Sequence, residues 1–141
     1  MTAGSRARLV YITLALITIA LGLWVHRGAA LGAVARDVLG DALWATMIAW
    51  WIGAVAPRMH LTGRSAVAFG ICVAVEVSQL IHMPALDSLR STPMGHLVLG
   101  SGFDPRDIVA YATGVAIAAG AEWLLRRDSR LTLSAAKFRD D

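Results

Sequence analysis

Residues 9–25, LVYITLALITIALGLWV, run for 17 positions without a charge, and their reading decides the fold. A helix on the surface of a soluble domain returns polar residues to its outer face every turn, and this stretch does not. Its length is that of a segment crossing the roughly 17–25 residues of a bilayer's hydrocarbon core. Comparable runs follow at 42–56 (ALWATMIAWWIGAVA), 65–81 (SAVAFGICVAVEVSQLI) and 108–125 (IVAYATGVAIAAGAEWLL). The second reaches a spanning length, 38–56, only by taking in Asp41, which places that carboxylate at or just inside the membrane boundary. The third holds Glu76, and the fourth meets its one carboxylate at Glu122, near its end.

The whole chain agrees with these runs. Its 141 residues are 57% hydrophobic with a mean hydropathy of +0.60, above the roughly 45–50% apolar share of soluble domains. The expectation is an all-α, polytopic membrane bundle of four transmembrane helices, spanning about 9–25, 38–56, 65–81 and 107–125. It forms one domain over 1–125, followed by a polar tail at 126–141. The first run, preceded by Arg6 and Arg8, reads as a retained span, because its apolar core is longer than that of a cleaved signal peptide.

Basic residues set the orientation, since short cytoplasmic loops accumulate Lys and Arg. With four spans, both termini and the second connection share one side. That side holds nine basic residues (Arg6, Arg8, Arg58, Arg64, Arg126, Arg127, Arg130, Lys137, Arg139), against four opposite (Arg27, Arg36, Arg90, Arg106). Both termini are therefore expected in the cytoplasm, with the tail, and the chain in a bacterial inner membrane. Trp24 is expected to mark the outer interface, and Trp50, Trp51 and Trp123 the inner one. The sequence pI near 9.8 points to these topology signals and not to nucleic acid, for no base-stacking motif accompanies the charges. Cys72 is the only cysteine, so no internal disulfide forms.

The longest connection, 82–106, lies on the expected outer side, and loops of that length are more often functional than plain linkers. Within it, PALDSLR (84–90) suits a short interfacial helix, and MGHLVLG (94–100) is apolar enough to return toward the bilayer. Asp104 followed by Pro105 reads as an N-cap and first position of the last helix.

A carboxylate inside a bilayer costs about 2.5–3.5 kcal/mol on insertion scales and therefore faces a partner, a cavity or water. Glu76 shares a helical stripe with Ser65, Ala68, Cys72, Gln79 and Met83. Asp107, Tyr111, Gly114 and Ala118 form a face of the last helix that could meet it, with Ala112, Ala116 and Gly120 as a second small-residue face. The candidate binding residues are Glu76, Gln79, Arg90, Asp107 and Tyr111, with Asp41, His96 and Asp104 secondary. Beside this stands the structural reading: Glu76 as a hydrogen-bonded packing residue, Asp41, Asp104 and Asp107 as caps, and Arg90 as a snorkelling or loop-balancing cation. Ser101 lacks a nucleophile context. The His and acidic spacings lack a metal motif, so no metal and no cofactor is expected.

The runs Val75 to His82 (VEVSQLIH), Leu86 to Thr92 (LDSLRST), Gly95 to Gly100 (GHLVLG) and Phe103 to Asp107 (FDPRD), with Gly40 to Ala45 (GDALWA), closely resemble a family of small bacterial membrane proteins, domain of unknown function 2809. The resemblance extends from Gly40 to Gly114 and implies a membrane protein without assigning an activity. More distantly, Glu76-x-x-Gln79, Arg90 and Asp107-x-x-x-Tyr111-x-x-Gly114 are similar to the pattern of VanZ-like proteins, associated with reduced glycopeptide susceptibility. Tyr111 stands where that pattern has Asn.

Three functional readings follow. The leading one is a non-enzymatic envelope protein whose outer polar pocket holds a lipid-linked or cell-wall-related ligand, with Arg90 on an anionic group. The second is an intramembrane enzyme with Glu76 as general base. The third is a proton-coupled permease, which four short helices could form only as an oligomer. The bilayer is the one partner common to all three, and a homo-oligomer is compatible with each.

Overall fold

The computed structural model describes residues 3–28, 30–99 and 102–137. It is helical, with no strand among the described residues. The six helices are α1 (Ala3–Gly28), α2 (Ala33–Val55), α3 (Leu61–Ser78), α4 (Pro84–Arg90), α5 (Pro93–Leu99) and α6 (Pro105–Lys137). Four of them contain segments long and apolar enough to cross a membrane: Gly4–Arg27, Ala33–Val55, Leu61–Ser78 and Pro105–Arg127. The chain is thus a multi-pass membrane helical bundle.

Spans begin earlier than their hydrophobic runs. α2 starts at Ala33, five residues before the expected boundary, so Arg36 and Asp37 sit inside the helix. α3 begins at Leu61, which leaves 56–60 as the entire second connection. The first turn of a helix is where charges remain hydrated, so hydropathy alone trims it away. α6 is longer than its run and carries helix into the polar segment, to Lys137.

The α3–α6 connection is structured. PALDSLR is α4 as expected, and the apolar run after it coils into α5. These two helices meet closely: a Cβ on Gly95 would lie 1.8 Å from the Leu89 carbonyl oxygen. α6 opens as its sequence implies, with the Arg106 N–H donating to Asp104 Oδ1 at 2.9 Å and Pro105 at its first position.

α2 is the centre of the bundle and packs against α1, α3 and α6, while α6 also packs on α3. Small residues permit the α2–α6 approach. A Cβ on Gly114 would fall 2.1 Å from the Ala42 carbonyl oxygen, and Thr46 Oγ1 lies 2.9 Å from the Gly114 carbonyl. Ala45, Ala68, Cys72, Tyr111 and Val115 form one buried cluster; Tyr11, Ala15, Trp50, Ala54 and Ala118 form another. The second small face of α6, Ala112, Ala116 and Gly120, is exposed.

Trp50 departs from its expected role at the interface. It is buried and stacked on Tyr11, ring centroids 6.3 Å apart, because Gly53 leaves the Tyr11 ring room to lie on α2; a Cβ there would stand 2.8 Å from the ring. Trp24 and Trp123 are exposed, as belt residues are. A buried polar knot ties the same region. Glu122 accepts from Tyr11 Oη at 2.9 Å and pairs with Arg126 at 2.7 Å and with Arg64. The Arg64 guanidinium also lies 5.1 Å from the Tyr11 ring centroid. Arg64, counted from sequence only as a topology charge, and Glu122, noted only as the one carboxylate of the fourth run, fasten α3 and α6 to α1.

The two glycines of α6 separate packing from propensity. Gly114→Ala is expected to lower unfolding stability in detergent by about 1–3 kcal/mol through overpacking against α2. Gly120→Ala, whose Cβ would meet nothing within 4 Å, should leave it unchanged or raise it by up to about 1 kcal/mol. Equal effects would contradict the close α2–α6 approach.

Candidate functional site

At the end of the bundle carrying the α3–α6 connection, polar side chains from α2, α3 and α6 converge. Glu76, in the last turn of α3, is wholly buried. An unpaired carboxyl there would be costly, and Glu76 is fully engaged. Its Oε1 accepts from the backbone N–H of Asp104 at 2.7 Å. Its Oε2 accepts from Gln79 Nε2 at 2.9 Å and from Tyr111 Oη at 3.1 Å. These bonds join the last turn of α3, the residue that caps α6 and the second turn of α6.

Because Gln79 gives its amide N–H to Glu76, its Oε1 points elsewhere; that oxygen is buried and has no partner among the described residues. Asp41 of α2 and Asp107 of α6 line the same cavity as Gln79.

Gln79, Asp41 and Asp107 line a cavity of about 670 Å³, together with Tyr111 and Asp104. That volume lies inside the ~300–1,000 Å³ range of small-molecule sites. Its remaining walls come mainly from α1 and α2. Near the connection these are His26, Arg36 and Asp37; deeper along the helices come Gly22, Leu23, Leu43, Trp44, Met47, Ile19 and Thr18. Gly22 and Gly40 line it as well, and a Cβ on either would meet nothing within 4 Å. Glycine inside a helix costs about 0.5–1 kcal/mol relative to Ala. No packing contact explains these two, and their effect is to widen the cavity.

The structure therefore gathers most of the sequence candidates but divides their work. Gln79, Asp107, Tyr111, Asp41 and Asp104 line the cavity. Glu76 sits behind Gln79 and Tyr111, and it does not reach the lining, which leaves it without access to a bound molecule as a general base. Arg90 is also off the lining. Its guanidinium donates to the carbonyls of Ser78 at 2.7 Å and Ile81 at 3.0 Å and contacts Asp87 at 3.4 Å, so it terminates α3. The side chain of His96, on α5, lies outside the described residues, as does Ser101. No group of three or more His, Cys, Asp or Glu residues able to hold a metal occurs among the described residues.

Arg36 was missed as a site residue. It had been counted only as a charge beyond the second span, although Arg36, Gly40, Leu43 and Met47 share one face of a helix at 3.6-residue spacing. Its Nη2 donates to the Leu31 carbonyl at 3.2 Å, while its buried Nε has no partner among the described residues.

A family model described as protein of unknown function (DUF2809) matches residues 30–115, from the start of α2 through the part of α6 that meets Glu76. The match covers well over half of the chain, and the chain belongs to that family. No solved structure matches it.

The donor count around Glu76 yields a test. Glu76→Gln presents an amide NH₂ to a position surrounded by three donors and loses at least one bond. Stability in detergent should fall by about 1–3 kcal/mol. Asp41→Asn, an isosteric change on the cavity lining, should cost about 1 kcal/mol or less. Thermal or denaturant unfolding of both purified variants checks the order, and a neutral Glu76→Gln would refute its role as the fastening residue.

Proposed function

We propose that this member of the DUF2809 family is a non-enzymatic membrane protein that holds an amphiphilic envelope lipid in the cavity between α1, α2, α3 and α6. The observation that carries this reading is the polarity of the lining. Carboxyls, an amide oxygen and a guanidinium stand near the α3–α6 connection, whereas Leu23, Leu43, Trp44, Met47 and Ile19 lie toward the middle of the bundle. A lipid in a bilayer has the same order along the membrane normal, headgroup at the interface and chain in the core. Soluble polar metabolites would leave the apolar depth unsatisfied, and a plain hydrocarbon would strand the carboxyls.

Nine basic residues against four favour cytoplasmic termini. In that orientation the polar mouth opens at the outer leaflet of the bacterial inner membrane, where lipid-linked wall precursors and envelope lipids present their headgroups. The similarity of Gln79 and Asp107 to the VanZ-like pattern, from which Tyr111 departs, supports an envelope ligand. The anionic group, assigned to Arg90 on sequence grounds, is better served by Arg36, since Arg90 is consumed by backbone carbonyls.

Gly40 supplies the test. A Cβ on Gly40 meets nothing within 4 Å and Gly40 lines the cavity, so Gly40→Leu should fill part of the cavity in a protein that still folds. A ligand present at 100 times its dissociation constant stabilises the native state by about 2.7 kcal/mol. Bacterial lipid extract should therefore raise the unfolding temperature of the detergent-purified wild type, and Gly40→Leu should not respond. An equal response in both proteins, or none in the wild type, overturns the proposal.

A further inference from the structure

The vertical order of groups along the cavity specifies the headgroup, an inference that rests on the amphiphile reading above. α1 and α2 are packed side by side, and both carry the same gradient. On α2, Arg36 lies in the first turn, with its guanidinium turned back toward Leu31. Asp41 follows five residues later, about 7.5 Å deeper at 1.5 Å per residue. Trp44 and Met47 are about 4.5 Å and 9 Å deeper again. On α1, His26 is in the last turn, with Leu23 and Ile19 progressively deeper.

From the middle of the bundle outward, the lining is thus apolar, then acceptor, then cationic. The acceptor level is firmly built. Gln79 is 6% exposed and lines the cavity. Its amide orientation is fixed by the bond to Glu76, and its Oε1 lacks a donor. The Asp41 and Asp107 carboxyls line the cavity with it and offer further lone pairs as acceptors. The cationic level is Arg36, whose Nε lacks an acceptor. Of the other carboxylates on the lining, Asp104 is turned to the N–H of Arg106, and Asp37 is exposed.

We infer that the cavity binds a lipid with a hydrogen-bond donor placed between its chain and its anionic group: the hydroxyl of a monoacyl glycerophosphate meets Gln79 Oε1 and the carboxyl pair, and its phosphate meets Arg36. A diacyl phospholipid has no such donor, because both glycerol hydroxyls below the phosphate are esterified. It would leave the Gln79 oxygen buried and unpaired. A monoacylglycerol has the hydroxyl but nothing for the guanidinium.

Thermal-shift titrations of the full-length protein in detergent with oleoyl lysophosphatidate, monoolein and dioleoyl phosphatidate test each level. Lysophosphatidate should bind about tenfold or more tightly than either of the others, the worth of one hydrogen bond to a charged group. Arg36→Gln should erase its advantage over monoolein, and Arg36→Lys should retain it. Gly40→Leu should abolish the response to all three. Equal binding of the three amphiphiles, lost in Gly40→Leu, overturns the headgroup inference and leaves the cavity reading standing. A lysophosphatidate response that persists in Gly40→Leu, or no response to any amphiphile, overturns both.

Discussion

The structure at the connection end depends on one constraint: Glu76 is a carboxyl with no exposure, set inside a span. Its oxygens cannot be left unpaired in a low-dielectric interior, and the three donors that meet them come from separate parts of the chain. Asp104 supplies its N–H only if α6 begins at Pro105; Tyr111 supplies its hydroxyl only if the second turn of α6 faces α3. Gln79 supplies its amide only if α3 ends just beyond Ser78. Satisfying one side chain therefore fixes where α3 stops, where α6 starts and how the two are rotated. The cavity wall follows from that arrangement, since Gln79, Asp104 and Tyr111 all belong to it.

The opposite end is fastened by the same physics with different residues. Buried Arg64, Glu122 and Tyr11, joined by the exposed Arg126, form a charged knot among α3, α6 and α1. Between the two polar knots the contacts are small and apolar, with Gly114 against Ala42 and Ala45, Ala68 and Cys72 in the centre. Lipid tails are as apolar as the helices, so association inside a bilayer draws on close packing and hydrogen bonds more than on hydrophobic burial. A bundle with polar fastenings at both ends and small residues between them follows that rule.

The four spans, the short helix at 84–90 and the Asp104–Pro105 start of α6 were legible in the sequence, because each is a local property: an apolar run, a short segment opened by Pro84, an N-cap pair. The meeting of Glu76 with Gln79 and Tyr111 was legible too, since helical stripes fix which residues share a face. What escaped was tertiary. Trp50 looks like a belt residue until Gly53 admits the Tyr11 ring beside it. Arg64 looks like a loop charge until Glu122 is placed across from it. Arg36 lay outside a span defined by hydropathy, yet the helix begins before the hydropathy does. In each case the missing information was the partner, and no periodicity in one segment specifies a partner in another.

Arg36 and Arg90 show how such partners separate a structural cation from one available to a ligand. Both are arginines near the connection, and by sequence Arg90 was the better candidate because it sits in the loop beside the family-like motifs. Yet a guanidinium has five donors, and the terminal nitrogens of Arg90 are taken up by the carbonyls that α3 leaves open at its end, with Asp87 beside them. Replacing it would expose the end of α3 before it affected any bound molecule. Arg36 donates to one carbonyl and lines the cavity at the level where a headgroup would carry its charge. The two residues are equal in charge and type; what distinguishes them is how much hydrogen-bonding capacity the fold has already consumed.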